Sequence, residues 1–165
     1  MPYTIAELNQ LDQESFVTAL GAVFEDTPTI AKLAWSYRPF NDREGLHQAM
    51  VRVVQGMTPE AQLALIRAHP DLGSKAKMAE ASVKEQAGAG LDRLTPEEFE
   101  RFHSLNAAYK AKFGFPFIIA VKNHTKASIL EAFEERLDHA IEAEQARALL
   151  EINQIANFRL QTLVS

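Results

Sequence analysis

Signals that begin α-helices recur along this chain, and they limit its fold more than any other feature of the sequence. Residues that favour the helix N-cap precede apolar stretches, in several cases with proline next or glutamate three positions later. These candidate caps are Thr4, Asp12, Thr27, Asp42, Thr58, Thr95 and Thr125. Apolar residues then return every three or four positions, as Leu46, Met50 and Val54 do after Asp42. The sequence therefore predicts helices along most of its length.

Signals for β-strands are weak by comparison. No stretch shows the convincing two-residue alternation that marks a half-buried strand, and the one β-like run, FPFIIAV at residues 115–121, has no second strand to pair with. Gly88 and Gly90 mark a loop between helices, and no repeat or linker divides the 165 residues. We predict an all-α fold, a compact single-domain bundle of about eight to ten helices over residues 1–165.

The composition excludes several classes of function. The formal net charge is −5 and no basic run offers a phosphate-neutralising surface, so we expect no nucleic-acid partner. Cysteine is absent, which excludes disulfides, thiolate nucleophiles and cysteine zinc sites. The first residues do not read as a signal peptide, and no segment reaches the ~20 apolar residues that span a bilayer. We expect a cytoplasmic protein without a membrane partner.

Motifs for metals and phosphate-bearing cofactors are also missing. None of the five histidines lies three or four residues from another, so no helical metal-ligand pair exists. The sequence has neither a glycine-rich phosphate loop nor a Gly-x-Ser-x-Gly elbow. We therefore predict no metal and no cofactor, and any enzyme built on this chain must work with general acids, general bases and hydrogen bonds.

His69 is the strongest candidate for such chemistry. Pro70 disfavours helical geometry at His69 and cannot continue the helix, so the imidazole projects from a stiff junction. An ordinary histidine pKa near ~6.5 suits proton transfer at cellular pH. Helix ends also attract histidine for simple local hydrogen bonds, and from this stretch alone that second interpretation is favoured.

Two further positions carry weaker signals. Ser82, Glu85 and Gln86 share one helical face, where a hydroxyl, a carboxylate and an amide could read a polar heterocycle, or could form an ordinary exposed polar face. Arg159 falls on or beside the apolar stripe of the last helix, seven residues after Ile152. A guanidinium there needs a protein carboxylate or an anionic ligand, unless only its aliphatic stem is buried.

These segments together resemble one family, the 2-oxo-4-hydroxy-4-carboxy-5-ureidoimidazoline (OHCU) decarboxylases. The resemblance covers nearly the whole chain, in order. It is carried by RPF at residues 38–40, LALIRAHPDLG at 63–73, SVKEQAGAGLDRL at 82–94, FHSLNAAYKAKFGFPFIIAVKNHTKASILEAFEERL at 102–137 and ANFRL at 156–160. The His-Pro-Asp-Leu-Gly and Phe-Gly-Phe-Pro-Phe blocks are quite specific when they occur together.

The resemblance assigns roles residue by residue. It implies catalytic roles for His69 in the His-Pro motif, for Glu85 in the Ser-x-x-Glu-Gln face and for the C-terminal Arg159. It implies that the 117–119 turn lines the pocket and supplies backbone contacts. The substrate-binding residues that it implies are Pro70, Ser82, Gln86, Phe117, Ile118 and Ile119.

The implied reaction needs no cofactor, and this agrees with the missing motifs. The substrate of the family carries a carboxylate and a hydroxyl on one ring carbon, next to a ring C=N that accepts electrons as CO2 leaves. The product is (S)-allantoin, formed at the last step from urate, and the family also implies a homodimer. Two alternatives stay open: a non-catalytic helical interaction module, and a cofactor-free hydrolase of a cyclic ureide that uses the same residues to activate water.

Overall fold

Helices make up most of the chain, as predicted. The computed structural model describes residues 1–74 and 78–165, and within them it contains nine α-helices and no strand, only an isolated bridge between Tyr3 and Val164. The helices are α1 (Ile5–Gln10), α2 (Gln13–Leu20), α3 (Thr29–Ala34), α4 (Arg43–Gln55), α5 (Pro59–Arg67), α6 (Glu80–Gly88), α7 (Pro96–Phe113), α8 (Lys126–Arg136) and α9 (Ile141–Leu163). Short 3-10 turns cover Trp35–Tyr37 and Val121–Asn123. The all-α prediction is confirmed.

The helices begin almost where the capping signals place them. Thr4 with Glu7 and Thr95 with Glu98 form complete capping boxes, and the Asp12 side chain accepts a hydrogen bond from the Ser15 backbone. At Glu98, the bond from the Thr95 backbone N–H is the main cause of a lowered carboxyl pKa. The exception is α3, where Thr27 was expected to cap.

The helix α3 begins one position later than its sequence predicts. Pro28 occupies the N-cap and makes no side-chain capping bond there. The Thr27 hydroxyl donates instead to the backbone carbonyl of Glu25, two residues earlier, at 2.7 Å. A local side-chain bond of this kind competes with helix capping, and it explains why the cap-then-proline signal is shifted here.

Contacts group the chain into two compact units. The first unit is Met1–Ala68 with Asn153–Ser165, and the second is His69–Ile152. In the first, α3 packs on α2 and α4, and the core residues fall on the helical periodicity that the sequence shows. They include Phe16, Leu20, Leu46, Met50, Val54, Ala156 and Leu160. A single domain over residues 1–165 stays a prediction.

The second unit is built on aromatic packing. Tyr109 lies in edge contact with Phe117 and Phe133, and the rings of Phe117 and Phe133 stack with centroids 3.8 Å apart. Gly114 ends α7 in the left-handed region, as its position in the sequence predicts. The predicted β-like run 115–121 does not form a strand: residues 115–120 cross this core as a buried segment that is extended at Ala120, and Val121 begins a 3-10 turn. The helix α9 begins at Ile141 after a short turn.

Candidate active site

His69 lies immediately beyond the end of α5. The helix ends at Arg67, Ala68 closes it, and His69 and Pro70 lead into the Asp71–Gly73 turn. The predicted junction is therefore confirmed. The His69 side chain is buried, with 8% of its surface exposed, so the imidazole is surrounded by protein and not by solvent. A buried imidazole next to a fixed backbone is well suited to directed proton transfer.

The turn after His69 is held by an amide from α6. The backbone N–H of Gly73 donates to Gln86 Oε1 at 3.0 Å, and Gln86 Nε2 donates to the carbonyl oxygen of Asp71 at 3.2 Å. Gly73 has φ of +69°, a conformation that side-chain-bearing residues rarely adopt, and an added Cβ would lie 2.8 Å from Leu94 Cδ1. Gln86 thus fixes the backbone that follows the histidine.

A second helix holds the same turn. Asn106 on α7 donates from Nδ2 to the carbonyl oxygen of Leu72 at 2.9 Å, inside the protein. Lys110, one turn further along α7, lies 2.7 Å from the Asp71 carboxylate in a partly exposed ion pair. The Asp71–Gly73 turn is therefore tied to α6 and α7 through four side-chain contacts, and His69 starts from a rigid base.

The Ser82, Glu85 and Gln86 face is partly inside the protein. Ser82 and Gln86 are buried on α6 and Glu85 is half-buried, so the interpretation of an ordinary exposed polar face is wrong for the first two. Burying a hydroxyl and an amide without partners is costly, so such residues are held where they can form hydrogen bonds. The Gln86 amide already serves the turn, and its substrate contact stays a prediction.

The segment Phe117, Ile118 and Ile119 is also buried in this second unit. Its backbone is held from one side, because Arg136 donates from Nη1 to the Ile118 carbonyl oxygen at 2.7 Å. The guanidinium carbon of Arg136 also lies 4.3 Å from the centre of the Phe117 ring. The second unit thus contains His69, Pro70, Ser82, Glu85, Gln86 and the 117–119 segment.

Arg159 belongs to the first unit and is buried there. Its Nη2 lies 3.0 Å from the Glu25 carboxylate, and its Nη1 approaches the carbonyl oxygens of Ala22 and Val23 at 3.4 Å each. Only 6% of the Arg159 side chain and 1% of the Glu25 side chain are exposed. Arg159 therefore has the protein carboxylate that one of the two sequence interpretations required. A ligand contact stays a prediction.

Comparisons with known proteins connect this arrangement to an activity. The profile of the family described as OHCU decarboxylase matches residues 9–161. The 2-oxo-4-hydroxy-4-carboxy-5-ureidoimidazoline decarboxylase of Halalkalicoccus jeotgali is 49% identical, over 97% of this chain and 91% of the relative. The protein of the same name from Haloferax volcanii is 45% identical, over 95% of this chain and 94% of the relative. The chain belongs to the OHCU decarboxylase family.

The fold of this OHCU decarboxylase family member also matches a solved structure. The crystal structure of (S)-allantoin synthase superposes on the chain with a TM-score of 0.78 at 30% identity. The match covers 98% of this chain and 54% of that protein, so the chain spans about half the length of that synthase. The family resemblance and the activity that it implies, the decarboxylation at the last step from urate to allantoin, are confirmed by the family match.

Sequence reasoning missed a buried ionic cluster in this OHCU decarboxylase family member. The fully buried Glu144 accepts hydrogen bonds from Arg136 Nε at 2.9 Å and from the Tyr109 hydroxyl at 2.6 Å. His139 Nδ1 lies 2.9 Å from the second Glu144 oxygen. Burial, with the hydrogen bond and the charge of Glu144, raises the pKa of Tyr109 well above its ordinary value.

Three other partners were missed, and each left a faint signal. Asn106 is a polar residue on the otherwise apolar face of α7, between Phe102 and Tyr109. Glu25 follows directly on the buried Val23 and Phe24. Glu151 is an acid beside the buried Ile152 of α9. A polar residue beside or within an apolar stripe thus indicates a buried polar partner. From the sequence, only Arg159 was interpreted in this way.

Residues 1–74 and 78–165 contain no group of three or more His, Asp or Glu side chains that could hold a metal ion. In the same part of the chain, no helix is both long enough and apolar enough to cross a membrane.

Proposed function

We propose that this chain converts OHCU to (S)-allantoin and CO2 without a cofactor, as a carboxy-lyase at the end of urate oxidation. The observation that carries the proposal is the 49% and 45% identity with two OHCU decarboxylases over nearly the whole chain, and the buried His69 of the His-Pro-Asp-Leu-Gly motif supports it. The substrate is OHCU and the product is (S)-allantoin. Neither nucleic acid nor a membrane takes part.

The substrate supplies its own electron sink. The bond between the ring carbon and its carboxylate breaks, CO2 leaves, and the electron pair moves into the adjacent ring C=N. The hydroxyl of the resulting enol loses its proton and becomes the ring carbonyl, while the adjacent carbon, which carries the ureido group, takes a proton. Because spontaneous decay of OHCU would give both enantiomers, the protein must contribute rate together with control of the protonated face.

His69 moves the proton in this scheme. Its imidazole hydrogen-bonds the hydroxyl on the reacting carbon and transfers its proton, and the turn held by Gln86 and Asn106 keeps the imidazole in place. Glu85 holds either His69 or the ring nitrogens in register. Glu85 is a half-buried carboxylate on α6, and its charge suits either contact.

The remaining residues bind and orient the substrate. Arg159 binds oxygens of the ureido or carboxylate portion, for which a planar guanidinium offers two parallel donors. Ser82 and Gln86 orient the ring, Pro70 borders it, and the 117–119 backbone supplies further hydrogen bonds. We also propose that the protein acts in the cytoplasm and that it is a homodimer. Light scattering of the purified chain tests the oligomeric state.

The decisive experiment is an assay on freshly generated OHCU. We expect release of one CO2 per substrate and accumulation of optically active (S)-allantoin faster than the spontaneous racemic decay, with an unchanged rate after exhaustive chelation. Circular dichroism of the product and trapping of labelled CO2 measure the two outcomes separately. Ring opening without CO2 would favour the cyclic-ureide hydrolase, and no turnover would favour an interaction module.

A further inference from the structure

Two buried side chains, on two different helices, form hydrogen bonds with the backbone of residues 117–120. Arg136 of α8 donates to the carbonyl oxygen of Ile118 at 2.7 Å. Glu151 of α9 accepts from the backbone N–H of Ala120 at 3.0 Å. Both side chains are more than nine-tenths buried. A donor and an acceptor, from two helices, therefore fix two backbone groups of one extended segment.

The spacing of these two contacts determines what the segment can offer. In extended backbone, the N–H and C=O groups of alternate residues point to the same side, and those of the residue between them point to the other. Ala120 is extended, with φ of −73° and ψ of 104°. Holding Ile118 and Ala120 on one side therefore directs the polar groups of Ile119 to the opposite side.

The backbone of Ile119 is available for a ligand. Within residues 1–74 and 78–165, its N–H and C=O form no hydrogen bond with the protein, although only 4% of the residue is exposed. Buried backbone groups nearly always have partners. A polar heterocycle with donors and acceptors on its edge supplies the partners that the protein itself does not.

Several contacts hold the guanidinium of Arg136 itself. Glu144 bonds its Nε, the Tyr109 hydroxyl and His139 bond the same carboxylate, and the guanidinium lies over the Phe117 ring. Stability alone does not account for this ionic cluster, because replacing a buried ion pair with apolar residues is often neutral or stabilising. A guanidinium fixed in a plane supplies a directed donor, which an apolar residue lacks.

We infer that Arg136 and Glu151 are positioning residues for the decarboxylation, which set the Ile118–Ala120 backbone so that Ile119 bonds the substrate ring. The inference rests on the proposed function. It assigns to the ionic cluster a role in substrate binding and in control of the protonated face, through the backbone and without contact with the substrate.

Glu151 gives the sharper test because a matched pair of variants exists. Glu151→Gln keeps an oxygen that accepts from Ala120, whereas Glu151→Leu removes it. We expect (S)-allantoin affinity and KM within about twofold of wild type for Glu151→Gln, and about tenfold weaker binding for Glu151→Leu. The enantiomeric purity of the product should fall only in Glu151→Leu. Titration calorimetry and circular dichroism of the product report these values.

Two controls separate positioning from general weakening of the fold. Arg147→Gln removes the half-exposed partner of Glu151 Oε2, which lies 3.1 Å from Arg147 Nε, and leaves the Ala120 contact intact. Ile129→Val lowers stability in the same unit through a fully buried apolar side chain of α8, which has no polar atom to bond the segment or the cluster. Both should bind allantoin as the wild type does and give a product of unchanged enantiomeric purity.

Arg136→Lys provides an independent measurement. Lysine keeps the positive charge beside Glu144 but cannot bond the carboxylate and the Ile118 carbonyl together in one plane. We expect about tenfold weaker allantoin binding and a less pure enantiomer in the folded variant. An active wild type with unchanged binding and purity in both Glu151→Leu and Arg136→Lys would overturn the inference alone. A folded wild type that releases no CO2 from OHCU would overturn the proposed function, and the inference with it.

Discussion

Two buried arginine–glutamate pairs lie within residues 1–74 and 78–165, and they are built differently. In the second unit, Arg136 is bonded to Ile118 at 2.7 Å and to Glu144 at 2.9 Å, and Glu144 collects two more partners. In the first unit, Arg159 lies 3.0 Å from Glu25 but 3.4 Å from its two backbone carbonyls. Nε and Nη1 of Arg136 thus form short bonds, while its buried Nη2 has no partner within the described residues, and the carbonyl contacts of Arg159 are near the limit of a hydrogen bond.

This difference separates two uses of a buried cation. A guanidinium held by short bonds on several sides acts as scaffold and fixes the backbone near it. A guanidinium whose bonds to backbone carbonyls are long can exchange them for a shorter, charge-assisted bond to a substrate oxygen. We therefore expect Arg136 to influence stability first and catalysis through the backbone, and Arg159 to influence binding directly.

The largest effect is expected at His69, and the effects at Arg136 and Arg159 are compared with it. His69→Ala should lower kcat by about 10²–10⁴-fold, because the positioned proton-transfer group is lost, while the fold is retained. The exposed His103 of α7 is the matched control, and His103→Ala should leave the rate unchanged. Steady-state CO2 release measures both. A folded His69→Ala variant with the wild-type rate would show that this assignment is wrong.

The next effect compares the two pairs in stability. Arg136→Met should lower the free energy of unfolding by about 3–5 kcal/mol, because it leaves Glu144 buried with one fewer partner and the Ile118 carbonyl without its donor. Arg159→Met should lower it by less, because the bonds from Arg159 to backbone carbonyls are longer and weaker. Urea unfolding followed by circular dichroism gives both values. An equal or larger decrease for Arg159→Met would remove the distinction between the pairs.

The third prediction tests whether Arg159 binds the substrate or only stabilises the fold. Arg159→Met should weaken (S)-allantoin binding or transition-state stabilisation by about 1–3 kcal/mol. Adding Glu25→Gln removes the stranded carboxylate and should recover stability but not binding. Melting curves paired with allantoin titrations of the single and double variants measure this. Recovery of affinity together with stability would place Arg159 in the scaffold.

The smallest effect is a dependence of stability on alkaline pH, which we expect from the Arg136–Glu144 pair and not from the Arg159–Glu25 pair. The unfolded tyrosine loses its proton near pH ~10, whereas burial and Glu144 keep the raised pKa of Tyr109 above that value. The folded state then binds one more proton, so stability falls as pH rises above ~10, by up to about 1.4 kcal/mol per pH unit. Tyr109→Phe should show a shallower decline in melting temperature between pH ~9 and ~11, relative to the wild type. Parallel slopes would show that the pKa of Tyr109 does not differ between the folded and the unfolded states.

The sequence predicted those features that depend on neighbouring residues. Six of the seven candidate caps lie at helix N-termini, because capping requires only a side chain and a backbone N–H three positions away. The helix end before His69 follows from Pro70, and the shared helical face of Ser82 and Gln86 follows from the helical period, which did not specify their burial. Arg159 was recognised because it interrupts an apolar stripe.

The partners that hold these residues were beyond sequence reasoning. Glu25 and Arg159 are 134 residues apart, Tyr109 and Glu144 are 35 apart, and Leu72 and Asn106 are 34 apart. Each pairing depends on how helices pack, which the period of a single helix does not specify. The role of Gln86 shows the same limit, since the helical period places its amide on a face with Ser82 but specifies neither its burial nor the turn that it holds.

The left-handed turn at Gly73 shows how a residue can be under strong evolutionary constraint without a chemical role. No atom of Gly73 takes part in the reaction, yet its positive φ and its bond to Gln86 connect it to the position of His69. In a library of all substitutions selected for turnover, this glycine should tolerate replacement almost as poorly as the histidine four residues before it. A residue that is required by a restrictive backbone geometry would thus be inherited almost as strictly as one that moves a proton.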